Sequence, residues 1–397
     1  VIGLGYVGLP LFEQLFTFYK DNVFGIDIDI DKISVLKKTY TTVSNQYNSI
    51  SFSDVIIIAV PTPINRITKE PNLIFLDSVI KELLKNLQKG KRQIIVLEST
   101  VYPGYTNEFI EKLEKFGFYE GIDFLMVYSP ERVSPGDPGK DLLSITKLVA
   151  SNDSVALDII DDLYSSIGIK TYRIFGDDSF KIAEMSKILE NVQRDVNISL
   201  MNEFKMLCSS SNIQIDFSKV LDAAETKNGF CKFHPGFVGG HCIAVDPYYL
   251  ILSNNYYNTN SSTIVETARN INESYIYYYI KKILDFKDIK KISLLGVTYK
   301  PNISDVRESG TIKLYHMLKN VYKDISIIMF DPYIENDTQL QDVYDSDIVF
   351  FIIPHNWFYK NLDFYNFSDK TKFIDITNDI RNHKFLDDFR IKYEFIN

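Results

Sequence analysis

The stretch GGHCIAVDPYY, residues 239–249, sets Cys242 behind two glycines and four residues ahead of Asp246. A thiol and a carboxylate at that spacing suit a nucleophile and its base. A small buried apolar residue is the plainer account of the same cysteine and a metal ligand a third, and nothing local settles it. Gly236, Gly239 and Gly240 leave the nearby backbone free to approach a ligand closely. Upstream, Lys187 and Asn191 stand four apart, so on a helix they share one face; a solvated lysine and a surface asparagine are the plainer account of that pair. At the start of the chain, VIGLGYVGLPLFEQLF puts Gly3, Gly5 and Gly8 in GxGxxG spacing around Tyr6 and Val7. The first glycine allows a tight turn, the second a close approach to a pyrophosphate, and the third close packing of the helix that follows. The segment VFGIDI then carries Asp27 where a ribose-binding carboxylate belongs. This combination points to a dinucleotide, and an acidic Asp27 with no arginine beside it favours NAD over NADP.

Further candidates stand where apolar strand-like runs end. DVIIIAV runs into PTPIN with Thr62, and QIIVLEST ends on Thr100. FLMVYSPERVSPGD places Glu131 just past another such run. Ligands of doubly wound sheets lie beyond the strand carboxyl ends, so these loops should border the cofactor. Turn and capping roles for the threonines, and a surface role for Glu131, remain open. Lys300, Asp305 and Arg307 follow a strand at 291–296; Lys300 and Arg307 read either as phosphate-binding charges or as ordinary surface charge. Arg269 belongs to a helical segment, 263–285. His355, after FIIP, reads as a loop histidine without chemical work.

These residues need a scaffold of alternating strands and helices. Apolar residues recur at helical spacing from Ser179 to Leu207, with neither Gly nor Pro between them, which predicts a helix long enough to cross between domains or to anchor a dimer. Its apolar stripe runs through Val192, Val196 and Leu200. After 287 the strand–helix pattern restarts without a second GxGxxG. The expected class is α/β: two doubly wound, Rossmann-like domains joined by a long central helix and a helical dimerisation region. The expected domains are 1–175 for the dinucleotide, 176–286 for the helical and cysteine-bearing region, and 287–397 for the substrate. Over 397 residues the formal net charge of -9 argues against a nucleic-acid surface. Three cysteines without framework spacing suit a reducing cytosol, and no CxxC accompanies a histidine cluster, so no metal is expected. No apolar run is long enough for a membrane span. Val1 lies inside a strand-like segment, so a short segment before it is not excluded.

The segments GLGYVGLPL, PTP, EST, SPER, AEMSKILENVQRDVNISLMNE, GGHCIAVDPYYL and LLGVTYKPNISDVRES, in that order, resemble the UDP-glucose/GDP-mannose dehydrogenase family over essentially the whole chain. The resemblance implies oxidation of a sugar C6 alcohol to a carboxylate with two NAD molecules and one water. It implies Cys242 as nucleophile, Asp246 as the carboxylate that helps deprotonate and orient, and Lys187 and Asn191 as the pair that polarises the substrate oxygen. It implies also that Thr100 positions water and that Glu131 serves thioester hydrolysis. Gly3, Gly5, Tyr6, Val7, Gly8, Asp27, Thr62, Thr100 and Lys300 match cofactor positions. Arg269, Lys300, Arg307, Gly239 and Tyr249 match substrate positions.

Two departures point to a branch. The UDP-glucose enzymes carry a second glutamate four residues after Glu131, where this chain has Pro135. The approach TKNGFCKFHPGFVGGHC is similar to the enzymes that oxidise UDP-N-acetylglucosamine or UDP-N-acetylgalactosamine for bacterial surface glycans, with His234 where a basic residue is usual. The expectation is therefore a cytoplasmic, homodimeric UDP-N-acetylhexosamine 6-dehydrogenase. UDP-glucose oxidation and a catalytically inactive sugar-nucleotide-binding protein are the alternatives. A reductive deoxysugar enzyme is disfavoured, because no Tyr-x-x-x-Lys pair falls beside the cofactor loops.

Overall fold

The computed structural model describes residues 1–65, 67–133, 142–254, 263–284, 286–335 and 338–377. Pro135 lies outside them. The chain divides into two compact units, Val1–Glu190 with Tyr248–Thr259, and Asn191–Pro247 with Asn260–Asn397. The helix Ser179–Cys208 runs from the first into the second.

In the first unit the strands are β1 (Gly25–Ile26), β2 (Val43–Ser44), β3 (Val55–Ile58), β4 (Gln93–Leu97), β5 (Phe124–Tyr128), β6 (Lys147–Ser151) and β7 (Thr171–Phe175). β1 pairs with β2, and Ile2 bridges in parallel to both Ile26 and Ile58, joining that pair to the five-stranded order β3-β4-β5-β6-β7. The sheet therefore reverses its strand order between Ile2 and β3, the position at which doubly wound sheets open a ligand crevice. Successive strand residues point to opposite faces. Ile56, Ile58, Ile95, Leu97 and Met126 pack into one core, while Ile57, Ile94, Val96, Leu125 and Val127 pack into another. Both faces are covered, which is why these strands read as unbroken apolar runs.

β6 and β7 have no counterpart in the sequence reading. β7 is an edge strand with a mostly exposed pattern, and β6 runs antiparallel to β5. The helix expected at 8–20 spans Gly8–Tyr19, with Pro10 in its first turn where a missing N–H costs nothing.

In the second unit β8 (Lys291–Leu295), β9 (Ser326–Phe330), β10 (Ile348–Phe351) and β11 (Lys372–Asp375) form an all-parallel sheet of order β11-β10-β8-β9. Its faces again alternate: Ile292, Leu294 and Phe350 pack with Tyr275, Tyr279 and Ile283 of the helix Ile264–Leu284, whereas Leu295, Val349 and Phe351 pack with Phe358, Phe364 and Phe373. The fold is thus two Rossmann-like domains joined by a long central helix. Along that helix Val192 is buried, whereas Ile182, Met185, Leu189, Leu200, Phe204 and Leu207 are exposed. The exposed apolar stripe therefore differs from the one expected through Val192. Among the described residues no helix is long and apolar enough to cross a membrane, and no cluster of His, Cys, Asp or Glu could hold a metal ion.

Candidate active site

In the first unit the three N-terminal glycines meet three different demands. Gly3 has φ +90°, and a Cβ there would lie 2.6 Å from the Ala59 carbonyl oxygen. A Cβ on Gly8 would lie 1.8 Å from the Gly3 oxygen, so the helix can start this close to the turn only with glycine. Around Gly5 there is open space within 4 Å, room for a phosphate to approach the backbone. Tyr6 is exposed and Val7 half-buried beside it. Asp27, buried just past β1, accepts from the Leu4 amide at 2.9 Å, the Asp29 amide at 3.0 Å and the Lys32 ammonium at 2.9 Å. Burial works to raise its pKa, but these hydrogen bonds and the Lys32 charge outweigh it and hold the carboxyl below its ordinary value. A turn with space for pyrophosphate and an ionised carboxylate at the next strand end fit the NAD for which the motif is built. Lys32 was not anticipated: Asp27 does have a cationic neighbour, although it is not arginine.

Past β3 and β4, the Thr62 hydroxyl donates to the Thr100 carbonyl at 2.7 Å, and the Tyr249 hydroxyl donates to the Thr62 carbonyl at 2.5 Å. The Thr62 hydroxyl thus ties the two cofactor-side loops together, and the wholly buried Tyr249 anchors the first of them to the helix Asp246–Asn254. Past β5, Glu131 Oε1 accepts from the amides of Arg132 (2.7 Å) and Val133 (2.6 Å), and Oε2 accepts from Lys147 at 3.1 Å. Arg132 in turn clamps Glu190 of the long helix through Nε and Nη2. Lys187, one turn earlier on that helix, is buried, and among the described residues its ammonium has neither an ion pair nor a hydrogen bond. A buried ammonium in that condition suits an incoming anionic oxygen.

In the second unit Cys242 is exposed and sits in the turn that starts the helix Asp246–Asn254. Its carbonyl accepts from the amides of Val245 and Asp246 at 3.0 and 2.8 Å. Asp246 is buried, and its Oδ2 accepts from Asn191 Nδ2 at 2.5 Å. The structure thus joins the nucleophile candidate, its carboxylate and Asn191 through short links.

The glycines ahead of Cys242 are pressed against the loop after β8. A Cβ on Gly239 would lie 2.8 Å from the Glu308 carbonyl oxygen, one on Gly240 would lie 2.8 Å from the Tyr299 ring, and the Gly240 amide donates to the Arg307 carbonyl at 3.1 Å. Burial, and then the charge of Arg307, lowers the His241 pKa, so that imidazole stays neutral near pH 7. Arg307 pairs with Asp305 through Nε and Nη2, and half-buried Lys300 caps the same loop with a carbonyl that accepts from Thr298. His234 is exposed.

Arg269 is buried and faces Asp195 at 2.7 Å. His355 is fully buried: its Nδ1 accepts from the Asn302 amide at 2.9 Å, and its Nε2 lies 2.9 Å from Asp331 Oδ2. Asp331 also accepts from the amides of Val297, Thr298 and Tyr333. His355 is thus a clasp for the loop after β8.

Residues 38–168 match the NAD binding domain of the UDP-glucose/GDP-mannose dehydrogenase family, residues 181–274 its central domain, and residues 293–383 its UDP binding domain. The chain belongs to this family. It is therefore a member of a family of NAD-dependent dehydrogenases.

Among its relatives, Protein CapL of Staphylococcus aureus is 35% identical over 91% of this chain and 90% of its own. The UDP-N-acetyl-D-glucosamine 6-dehydrogenase of Pseudomonas aeruginosa is 34% identical over 86% of this chain and 84% of its own. Among solved structures, the UDP-D-ManNAc dehydrogenase of Pyrococcus horikoshii superposes with a TM-score of 0.83 at 27% identity, covering 100% of this chain and 97% of that one.

Sequence reasoning passed over several polar residues. Glu98 and Lys147 were hidden because β6 was not seen. Asp195, Asn202 and Asn272 were not singled out, yet all three are buried. The signal available for them was their place on apolar helix faces, where an uncompensated polar group would be costly.

Proposed function

We propose that this chain oxidises the C6 hydroxyl of a UDP-N-acetylhexosamine to the carboxylate, by way of a thioester on Cys242, for surface glycan synthesis. The observation that carries the proposal is the Cys242 turn: an exposed thiol opening a helix whose first residue, Asp246, is buried and held by Asn191. The names of the relatives support the hexosamine class, and they include the manno as well as the gluco configuration.

The Gly3–Gly8 turn and Asp27 would hold NAD, which would supply the oxidising equivalents for both oxidations at C6. Lys187 and Asn191 stabilise the C6 oxygen while it bears negative charge. The Cys242 sulfur bonds to the aldehyde carbon, and the carbonyl oxygen takes up the thiol proton. Asp246 orients the groups that handle that proton. After the second oxidation the carbon is a thioester. Water then adds, the carbon–sulfur bond breaks, and Glu131 and Thr100 hold the water. Covalent retention keeps the aldehyde from leaving between the two oxidations.

Arg269, Lys300, Arg307, Gly239 and Tyr249 are proposed to serve the sugar nucleotide. For the buried Arg269 and Tyr249, that service is orientation of neighbouring groups. The proposed assembly is a cytoplasmic homodimer, supported by the exposed stripe Ile182, Met185, Leu189, Leu200, Phe204 and Leu207. Cysteines that form no disulfide suit a reducing compartment.

A substrate panel tests the proposal. Purified protein with NAD is given UDP-N-acetylglucosamine, its galacto and manno epimers, and UDP-glucose. The expected result is uronate formed with preference for one of the hexosamines. Dominant turnover of UDP-glucose, or tight binding of all four without NADH, would overturn it.

A further inference from the structure

Three of the polar side chains that the first unit buries form a cluster with Glu131 that the chemistry above does not use. Glu98 directly follows β4, Lys147 opens β6, and Tyr164 lies on the helix Ser154–Ser166. Because β6 runs antiparallel to β5, its first residue falls at the carboxyl ends of β4 and β5, where catalytic groups gather. The register Tyr128↔Ala150, continued three residues, sets Lys147 against Glu131. The Lys147 ammonium donates to Glu98 Oε2 at 2.5 Å and to Glu131 Oε2 at 3.1 Å, while the Tyr164 hydroxyl donates to Glu98 Oε1 at 2.5 Å. The side chains of Lys147, Glu98 and Glu131 are only 4%, 0% and 13% exposed. Burying these charges is expensive, and apolar residues in place of the whole cluster would pack at least as well, although removing the lysine alone would strand two buried carboxylates. Stability alone therefore gives no reason for the cluster.

We propose that Lys147 is a positioning residue for thioester hydrolysis, holding the Glu131 carboxylate ionised and in one orientation, with Glu98 and Tyr164 fixing the ammonium from behind. This rests on the assignment of Glu131 to the hydrolytic step. Three donors fix Glu131: two amides on Oε1 and the lysine on Oε2. Burial works to raise the Glu131 pKa, but the Lys147 charge and the amides outweigh it and keep the carboxyl below its usual value. Glu98, deeper and flanked by Glu131, is pushed up by burial to about 7, although Lys147 opposes this. One ammonium cannot fully compensate two buried carboxylates, and Glu98 is the one that takes the proton. In the hydrolysis step the water oxygen bonds to the acyl carbon and the carbon–sulfur bond breaks. Glu131 accepts the proton that the water gives up, and the departing Cys242 thiolate takes up a proton in its turn.

Rapid mixing with NAD and the preferred sugar nucleotide tests this, by counting NADH per active site and weighing the protein. Lys147→Met should form two NADH per site quickly, then turn over about 100-fold more slowly than the parent, with an acyl group trapped on Cys242. Lys147→Arg should restore most of the steady rate. Glu131→Gln serves as the control and should accumulate the same acyl-enzyme. If Lys147→Met does not fold, Lys147→Met/Glu98→Gln carries the test, since it leaves no charged member of that pair behind. Lys147 variants that turn over like the parent, or that slow the first hydride transfer without acyl build-up, while Glu131→Gln still accumulates acyl-enzyme, would overturn the positioning role. No acyl-enzyme in Glu131→Gln would instead remove the assignment of Glu131 on which that role rests.

Discussion

Asp195→Ala should be among the most damaging single changes outside the reacting groups. Asp195 Oδ1 accepts from Arg269 Nη1 at 2.7 Å and from Asn272 Nδ2 at 2.8 Å. Asn272 Oδ1 accepts from Asn202, which exchanges hydrogen bonds with both the amide and the carbonyl of Gly236. The network thus runs from the ion pair to the segment that leads to Cys242. The side chains of Arg269 and Asp195 are 6% and 0% exposed, so removing the carboxylate strands a buried guanidinium.

Breaking one partner of such a pair costs about 3–5 kcal/mol. Glu273, 3.4 Å from Arg269 but 43% exposed, should recover no more than about 1 kcal/mol. The net loss is then about 2–4 kcal/mol. The chain has one tryptophan, Trp357, and it packs against Phe330 in the second unit, so its fluorescence in urea reports this unit alone. With a slope of about 2 kcal/mol per molar urea, the midpoint should fall by about 1–2 M. The paired variant Asp195→Leu/Arg269→Met removes both charges and should lie within about 1 kcal/mol of the parent or above it. A shift below about 0.5 kcal/mol for Asp195→Ala would refute the buried-pair reasoning and leave Arg269 to other partners.

Asp27→Ala removes the acceptor of two amides and of Lys32, so kcat/KM for NAD should fall about 10- to 100-fold and the NADP/NAD ratio should rise as Lys32 is released; an unchanged ratio would contradict the role of Asp27 in cofactor choice. Glu98 contributes stability that is complete below its ordinary value of 4.5 and is lost as pH rises through about 7. Glu98→Gln should therefore lose less stability than the parent between about pH 4.5 and 7, measured by thermal melts; parallel curves would argue against the buried proton. Leu189→Lys places a charge in the exposed helical stripe and should convert particles of twice 45.9 kDa to single chains in light scattering; a parent that is already a fully active monomer would refute the homodimer.

The dinucleotide turn was legible because its demands are mostly local: Gly3 takes a positive φ and Gly8 starts the helix against the Gly3 carbonyl, while Gly5 leaves open space for a ligand. The long helix was equally plain, since its period continues unbroken from Ser179 and only its last residue, Cys208, was added. Its exposed face was misjudged, because Val192 and Leu200 look alike in sequence and only tertiary packing buries one of them. β7 escaped notice because an edge strand needs no apolar alternation. Lys147 and Glu98 were invisible for a deeper reason. A lysine opening one strand and a glutamate ending another meet only through the antiparallel turn of β6, a long-range fact without a local signature. Lys32 shows the reverse case, lying five residues from Asp27 and within reach once a helix begins at Ile30.

The most direct measurement is the number of NADH formed per sugar consumed, for the parent and for Cys242→Ala, with mass spectrometry of the product and of the protein. The exposed Cys242 side chain can be shortened at little cost to packing. The parent should give two NADH and one uronate per sugar. Cys242→Ala should give no more than one, with aldehyde or its hydrate as product and no adduct on the protein. Two NADH per sugar from the alanine variant would contradict the thioester route.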